Sequence, residues 1–305
     1  MGTVLGVTYS PENFRRAVRA GTHLLETAGG AKAAMRAFRK ALPDSAEPLK
    51  GIHSPTLDGV IPSKLLAYLR AMQEEGVGPR REGKPERVIA APHPSAAEYI
   101  DEALEKIWAD AAEGRILLSN SKSNALGGVR ESSIARVPKM NPDRTLAEDG
   151  RFITDMKATN VKGSKHRHPP ALQPRHAEVA REILWWSWRH PGVRILMCKR
   201  DVSSAFKIIN VSEDCSLIMA VGLPGSAVGL EHDVTVMYRV MNFGWVGAPG
   251  EWMAWAWALK FWFEEHAPED PDLNDTIPFH VFILMDDPVL VEPDIGLRPW
   301  LSAGT

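Results

Sequence analysis

The segment Phe282-Ile283-Leu284-Met285-Asp286-Asp287 sets the tightest constraint on this chain. Two adjacent carboxylates follow an apolar run, and a second apolar run, Val289-Leu290-Val291, follows them. Such runs on either side of a polar pair read as two buried strands joined by a tight turn, with the acids at its tip. Burying the flanks is favourable. Placing two like charges side by side is not, and both stay ionised only with cations or strong donors nearby. Hard divalent cations with oxygen ligands are the natural partners, and Mg²⁺ takes one or two carboxylates plus substrate phosphates. Asp also favours turns for local reasons, so the pair alone leaves a plain polar turn open.

A third carboxylate upstream breaks that tie. Arg194-Ile195-Leu196-Met197-Cys198 reads as a strand, with Lys199-Arg200-Asp201 at its end and Val202-Ser203-Ser204-Ala205-Phe206 following. If the two strands are neighbours, Asp201 joins Asp286 and Asp287. Three carboxylates from adjacent strands suit two Mg²⁺ ions about 3.5–4 Å apart, as in two-metal phosphoryl-transfer sites. Between these segments, Asn242-Phe243-Gly244-Trp245-Val246-Gly247-Ala248-Pro249-Gly250 reads as a glycine-rich loop leading into a helix, with Pro249 suited to its first turn. Trp252, Met253, Trp255, Trp257, Leu259, Phe261 and Trp262 are apolar on nearly every face, which predicts a buried helix. Trp245, inside the loop, suits base support and core packing equally.

At this point the chain resembles a reverse transcriptase of the retroelement type. Asp201-Val202-Ser203-Ser204-Ala205-Phe206 resembles that family's motif A, Phe243-Gly244-Trp245-Val246-Gly247-Ala248-Pro249 its motif B, and Leu284-Met285-Asp286-Asp287 its motif C, with Leu where an aromatic residue is usual. The three stand in family order at family-like spacing. Upstream, Ser95 to Gly114 reads as one helix with a Ser95/Glu98 capping box and a terminal Gly. Ser132 to Lys139 resembles the first strand of the polymerase fingers, and Gly150 to Asn160 the second. The likeness covers roughly the last two thirds of the sequence, and nothing before Ser95 contributes to it.

The resemblance implies a role for each matching residue. Asp201, Asp286 and Asp287 would be the catalytic carboxylates and metal ligands, with the Val202 carbonyl in the metal shell. The cofactor would be two Mg²⁺ ions, with Mn²⁺ as a substitute. Lys139 and Arg151 would grip the triphosphate of the incoming nucleotide, where charge-assisted donors are strongest. Phe206 would lie under the sugar as a gate against a 2′-hydroxyl. Phe243 and Gly244 would shape the nucleotide pocket. The expected partners are an RNA or DNA template with its primer, a deoxynucleoside triphosphate, and downstream thumb and RNase H domains of a polyprotein. Four features depart from the family pattern: Pro288 directly after the Asp pair, Pro138 in the first fingers strand, Arg136 among apolar strand positions, and a long loop from Asn141 to Gly150.

The implied architecture is α+β: polymerase fingers plus a partial palm with a ferredoxin-like sheet and packed helices, preceded by a helical N-terminal region. Expected boundaries are 1–94 for the helical region and its Pro/Gly-rich linker, 95–190 for the fingers-like part, and 191–305 for the partial palm, with the thumb absent. Helices are expected from Ser10-Pro11 to Glu26, from Ala31 to Ala41, and from Ser63 to Glu75. Two Cys, Cys198 and Cys215, give no disulfide framework and suit a reducing, intracellular compartment. No apolar run is long enough for a membrane span. A net charge of −2 over 305 residues excludes a chain that binds nucleic acid through overall charge, so attraction must come from patches. Lys157 to His176, with five Lys or Arg, three His and no acid, is the candidate patch. Two other readings remain. One is a palm polymerase that makes RNA, against which Phe206 argues. The other is a non-catalytic nucleic-acid-binding remnant.

Overall fold

Ser10 and Pro11 open the first helix as expected. The Ser10 hydroxyl accepts from the Asn13 N–H at 3.1 Å, and Gly29 ends the helix at φ 79°. A computed structural model describes residues 7–47, 49–270, 273 and 275–305. Along the chain, α1 (Pro11–Ala28), α2 (Ala31–Ala41) and α3 (Ser63–Glu75) match the three expected helices within two residues. The single helix expected from Ser95 to Gly114 is instead two, α4 (Pro94–Ala97) and α5 (Ile100–Ala112). Pro94 takes the first helical position, so the cap is His93, whose Nδ1 accepts from Ser95 N–H, and the Ser95/Glu98 capping box does not form. Tyr99, at φ −117° and ψ 42°, breaks the run before α5.

The chain folds as two discontinuous units: residues up to 49 with 72–167 and 206–248, and residues 50–71 with 168–205 and 249–305. Both are mixed α and β. In the first, β1 (Ile116–Asn120), β2 (Glu131–Ser132), β6 (Ala220–Leu223) and β7 (Val234–Tyr238) form a sheet in the order β1-β7-β6-β2. Leu25, Ala34 and Met35 from the N-terminal helices pack with Leu117, Val129, Ala220 and Met237 to make its core. A separate hairpin, β3 (Ile134–Met140) with β4 (Leu146–Thr154), pairs antiparallel. The loop expected to be long is short: Asn141 N–H donates to Thr145 C=O at 2.8 Å, and Asp143 Oδ1 accepts from Thr145 N–H. Arg136, an odd residue for a strand, is buried because Glu102 of α5 accepts from its Nε at 2.7 Å. One turn of helix, α6 (Lys157–Asn160), leaves β4, and another, α8 (Glu213–Ser216), precedes β6.

In the second unit, β5 (Ile195–Lys199), β8 (Val281–Leu284) and β9 (Asp287–Pro293) form an antiparallel sheet in the order β5-β9-β8. Val179 and Trp186 of α7 (His176–Arg189) pack on Phe282, Val289 and Val291. The helix expected after the glycine loop is α9 (Ala248–Glu264). Its Trp252, Met253, Trp255 and Ala256 are buried, while Trp257 and Leu259 stay exposed, so the helix is not buried on every face as its composition suggests. Arg298 of α10 (Arg298–Gly304) is buried against Glu292 and Asp275 and lies over the Trp186 ring at 4.5 Å. A guanidinium can occupy a core only with its donors satisfied in this way. Among the described residues, no helix is long and apolar enough to cross a membrane.

Candidate active site

The β8–β9 hairpin closes on two residues. Leu284 pairs with Asp287, which leaves Met285 and Asp286 as the loop. Met285 has φ 58°, whereas Asp286 is not left-handed, the pattern of a type II′ turn. Gly normally takes the first loop position of such turns, and an L-residue there costs about 1–2 kcal/mol. Trp252 of α9, itself buried, holds the strained residue by donating from Nε1 to the Met285 carbonyl at 2.6 Å. Pro288, the departure noted in the sequence, stands second in β9 opposite Ile283.

Two backbone bonds decide where Asp201 lies. Lys199 is paired with Val289 at the end of β5. Beyond it, Arg200 N–H donates to the Pro288 carbonyl and Val202 N–H to the Asp286 carbonyl, both at 2.9 Å. The chain therefore tracks the hairpin to its tip, and Asp201 sits between these bonds at the same end of the sheet as Asp286 and Asp287. Asp201 is exposed, and the pair is half-buried. Lys199 Nζ lies 2.8 Å from Asp287 Oδ2. The Asp287 hydrogen bond, then its charge, then the charges of Asp201 and Asp286 raise the Lys199 pKa, so the ammonium feels all three carboxylates. Sequence reasoning gave Lys199 no role. Its position two residues before Asp201, at a strand end, was the available signal.

Lys139 and Arg151 lie on adjacent antiparallel strands, with Arg151 opposite Val137. Arg151 is exposed, and its side chain has no partner among the described residues. Lys139 is engaged: it ion-pairs with Asp149, and that hydrogen bond holds the Asp149 carboxyl below its usual range. Phe206 and Phe243 meet edge to face, with ring centroids 5.6 Å apart. Phe243 is 63% exposed, whereas Trp245, read as equally suited to base support or packing, is buried in the core. Gly244 needs its freedom: φ is 92°, and a Cβ would meet the Thr154 carbonyl at 3.1 Å. Asn160 fastens this loop from both sides. Its Nδ2 donates to the Gly244 carbonyl at 2.8 Å, and its Oδ1 accepts from Val246 N–H at 2.9 Å.

The basic patch is only partly free. Arg167 pairs with Glu82, and His168 is buried, with Nδ1 2.6 Å from Glu251 Oε1. Tyr68 donates to the other Glu251 oxygen at 2.6 Å. This network lies wholly in the second unit and ties the first turn of α9 to the chain after Arg167. A lone Glu within the run Gly250-Glu251-Trp252-Met253 was its signal in the sequence.

Among the described residues, no three or more His, Cys, Asp or Glu side chains are gathered tightly enough to hold a metal ion as they stand. The donor set nevertheless suits a hard divalent cation in kind: it is all carboxylate, and a cation, the Lys199 ammonium, already sits on Asp287. Compared with protein-family models and with curated proteins, the chain matches none.

Proposed function

We propose that the second unit carries a nucleotidyl-transfer site of the reverse-transcriptase type, making DNA on an RNA or DNA template. The observation that supports this reading is the pair of bonds from Arg200 and Val202 to Pro288 and Asp286, which brings the Asp201 backbone to the same end of the sheet as the Asp pair. The order β5-β9-β8, with α9 between β5 and β8 in sequence, supports a palm-like sheet. Storing strain at Met285 is typical of functional sites.

In this reading a primer 3′-hydroxyl attacks the α-phosphorus of a deoxynucleoside triphosphate, and pyrophosphate leaves as the new P–O bond forms. Bound Mg²⁺ supplies charge neutralisation at the hydroxyl and at the leaving group. Asp201 and Asp286, with the Val202 carbonyl, would hold it, and Asp287 would shape the field around them. Arg151, exposed and without a partner among the described residues, is the stronger candidate for triphosphate contact; Lys139 must first leave Asp149. Phe206 and Phe243 form an aromatic pair suited to the sugar and base of a nucleotide.

A non-catalytic nucleic-acid-binding remnant is the second reading, favoured by Lys199, which partly neutralises the site without metal. Single-nucleotide incorporation on an RNA template with Mg²⁺ separates the two, measured at high protein concentration for the chain alone and for the chain extended by a reverse-transcriptase thumb. Incorporation lost in Asp286→Asn supports the enzyme. Template binding without incorporation in either form supports the remnant.

A further inference from the structure

A groove of about 960 Å³ runs between α7 and α9 in the second unit, with the buried Val281, Phe282 and Ile283 of β8 at its base. Small-molecule sites span about 300–1,000 Å³ and combine apolar walls with a few polar groups. The walls here are aromatic. Trp185 and Trp188 of α7 and Trp257 of α9 line them, and Trp188 is 78% exposed. Trp185 is engaged by Trp186 and Arg189. The rings of Trp188 and Trp257 have no stacking or cation partner among the described residues. Open aromatic surface gathered in one concave place marks a binding site more often than a plain surface.

The charges of the groove say what it takes. Lys260 and His280, on one side, both meet Glu264: Lys260 forms an ion pair with its Oε1, and His280 Nδ1 lies 3.0 Å from the same oxygen. Arg181, on the other side, has Glu178 at 3.8 Å, and the second Glu178 oxygen accepts from Arg175 N–H at 2.8 Å. Glu182 is left over. It is half-buried, lines the groove, and has no hydrogen-bond or ion-pair partner among the described residues. An unmatched carboxylate beside open indole faces attracts a cation twice, through its charge and through the ring quadrupole. The apolar walls require that this cation carry an apolar body. The base is also short: four residues of β8 span about 13 Å. That length suits one small ligand, whereas a protein partner covers about 800 Å² on each side.

We propose that the groove between α7 and α9 binds a small organic cation, an ammonium group joined to an aromatic or aliphatic body, with Glu182 taking the charge and Trp188 and Trp257 the body. The site shares no residue with Asp201, Asp286 and Asp287, so it stands or falls apart from the nucleotidyl-transfer reading.

The test uses the whole 305-residue chain and isothermal titration calorimetry. Three probes share one aromatic body: naphthylmethylammonium, naphthylmethanol and naphthylacetate. The ammonium should bind about tenfold more tightly than the alcohol, with the acetate weakest. Its lead should shrink as salt screens Glu182. Glu182→Gln should bring the ammonium within about twofold of the alcohol and leave the alcohol unchanged. Trp188→Ala, at a position too exposed to hold the core, should weaken all three probes by about threefold or more, and Trp257→Ala should do the same. Thermal midpoints confirm that each variant is folded. Equal binding of the three probes by the parent overturns the proposal, since the groove would then be an unselective apolar surface. A charge preference that survives in Glu182→Gln overturns the role of Glu182. Affinities unmoved by both tryptophan substitutions overturn the groove as the site, and no binding of any probe overturns the proposal as a whole.

Discussion

Two hairpins in this molecule solve the same problem in opposite ways. β8–β9 is buried along both strands and turns on two residues, one of them strained. Its shape is set by packing and by the Trp252 bond to the turn. β3–β4 exposes Val137, Met140 and Leu146, carries a register shift between Pro138 and Met140, and turns through Asn141 to Thr145. It is anchored by charge: Glu102 of α5 accepts from Arg136 Nε at 2.7 Å and from Gly150 N–H at 2.9 Å, and it also pairs with Lys106. A packed hairpin fixes atoms closely and tolerates little change. A charge-anchored one is adjustable and depends on pH. If the packed hairpin holds catalytic acids, as proposed, its construction suits that task.

The comparison breaks most clearly at the carboxylates. Under the proposed function, Asp201→Asn and Asp286→Asn should each lower single-nucleotide incorporation by about a hundredfold or more, since each would remove charge that a two-metal arrangement requires. Thermal midpoints should stay within about 2 °C of the parent, because neither acid is packed in the core. A large fall in midpoint would mean that the acids serve the fold instead.

Next in size is the anchor of the other hairpin. Glu102→Gln should destabilise the chain by about 1–3 kcal/mol, because buried Arg136 and the Gly150 N–H lose their charged acceptor. Urea unfolding followed by circular dichroism measures this. An unchanged midpoint would show that the hairpin is held by packing after all.

The same residue gives the pH dependence. Burial raises the Glu102 pKa, but the Gly150 N–H, Lys106 and Arg136 outweigh it and leave the pKa at about 2, against 4.5 for the free side chain. A depressed carboxyl contributes stability that is present above the unfolded value and lost as pH falls through the folded one. The parent should therefore lose stability between about pH 4.5 and 2, and Glu102→Gln should lose less over that window. Melting temperatures across the range read the difference. Parallel curves would remove Glu102 as the cause.

The smallest effect sharpens the view of the packed hairpin. Met285→Gly should relieve the left-handed backbone and raise stability by about 1 kcal/mol or less, offset in part by the lost side chain. Chemical denaturation of the two chains tests this. If stability falls by more than that, Met285 packing outweighs its strain.

Much of this was legible in the sequence because it is local. Ser10, Pro11 and Gly29 mark α1 through capping, which needs no tertiary information. The apolar–acid–apolar run gave the hairpin because two short apolar runs on either side of a polar pair have few other solutions. The split between α4 and α5 was not legible, since Ser95 and Glu98 satisfy the capping-box pattern and only Pro94 with Tyr99 overrules it. Trp245 read as equally free to pack or to meet a base, and it is buried. Arg136 looked anomalous in a strand because its acceptor, Glu102, lies 34 residues away. Lys199 and the Tyr68–Glu251–His168 network went unread for the same reason: side-chain pairing across long separations leaves no period to detect.

Asn160 has a mechanical consequence. Its one amide spends both its donor and its acceptor on the glycine loop, at Gly244 and Val246. That residue also ends the turn of helix that follows β4. The exit of the exposed hairpin and the loop bearing Phe243 are thus joined at Asn160. Any shift of Asn160 would therefore be felt first at Gly244, the residue next to Phe243.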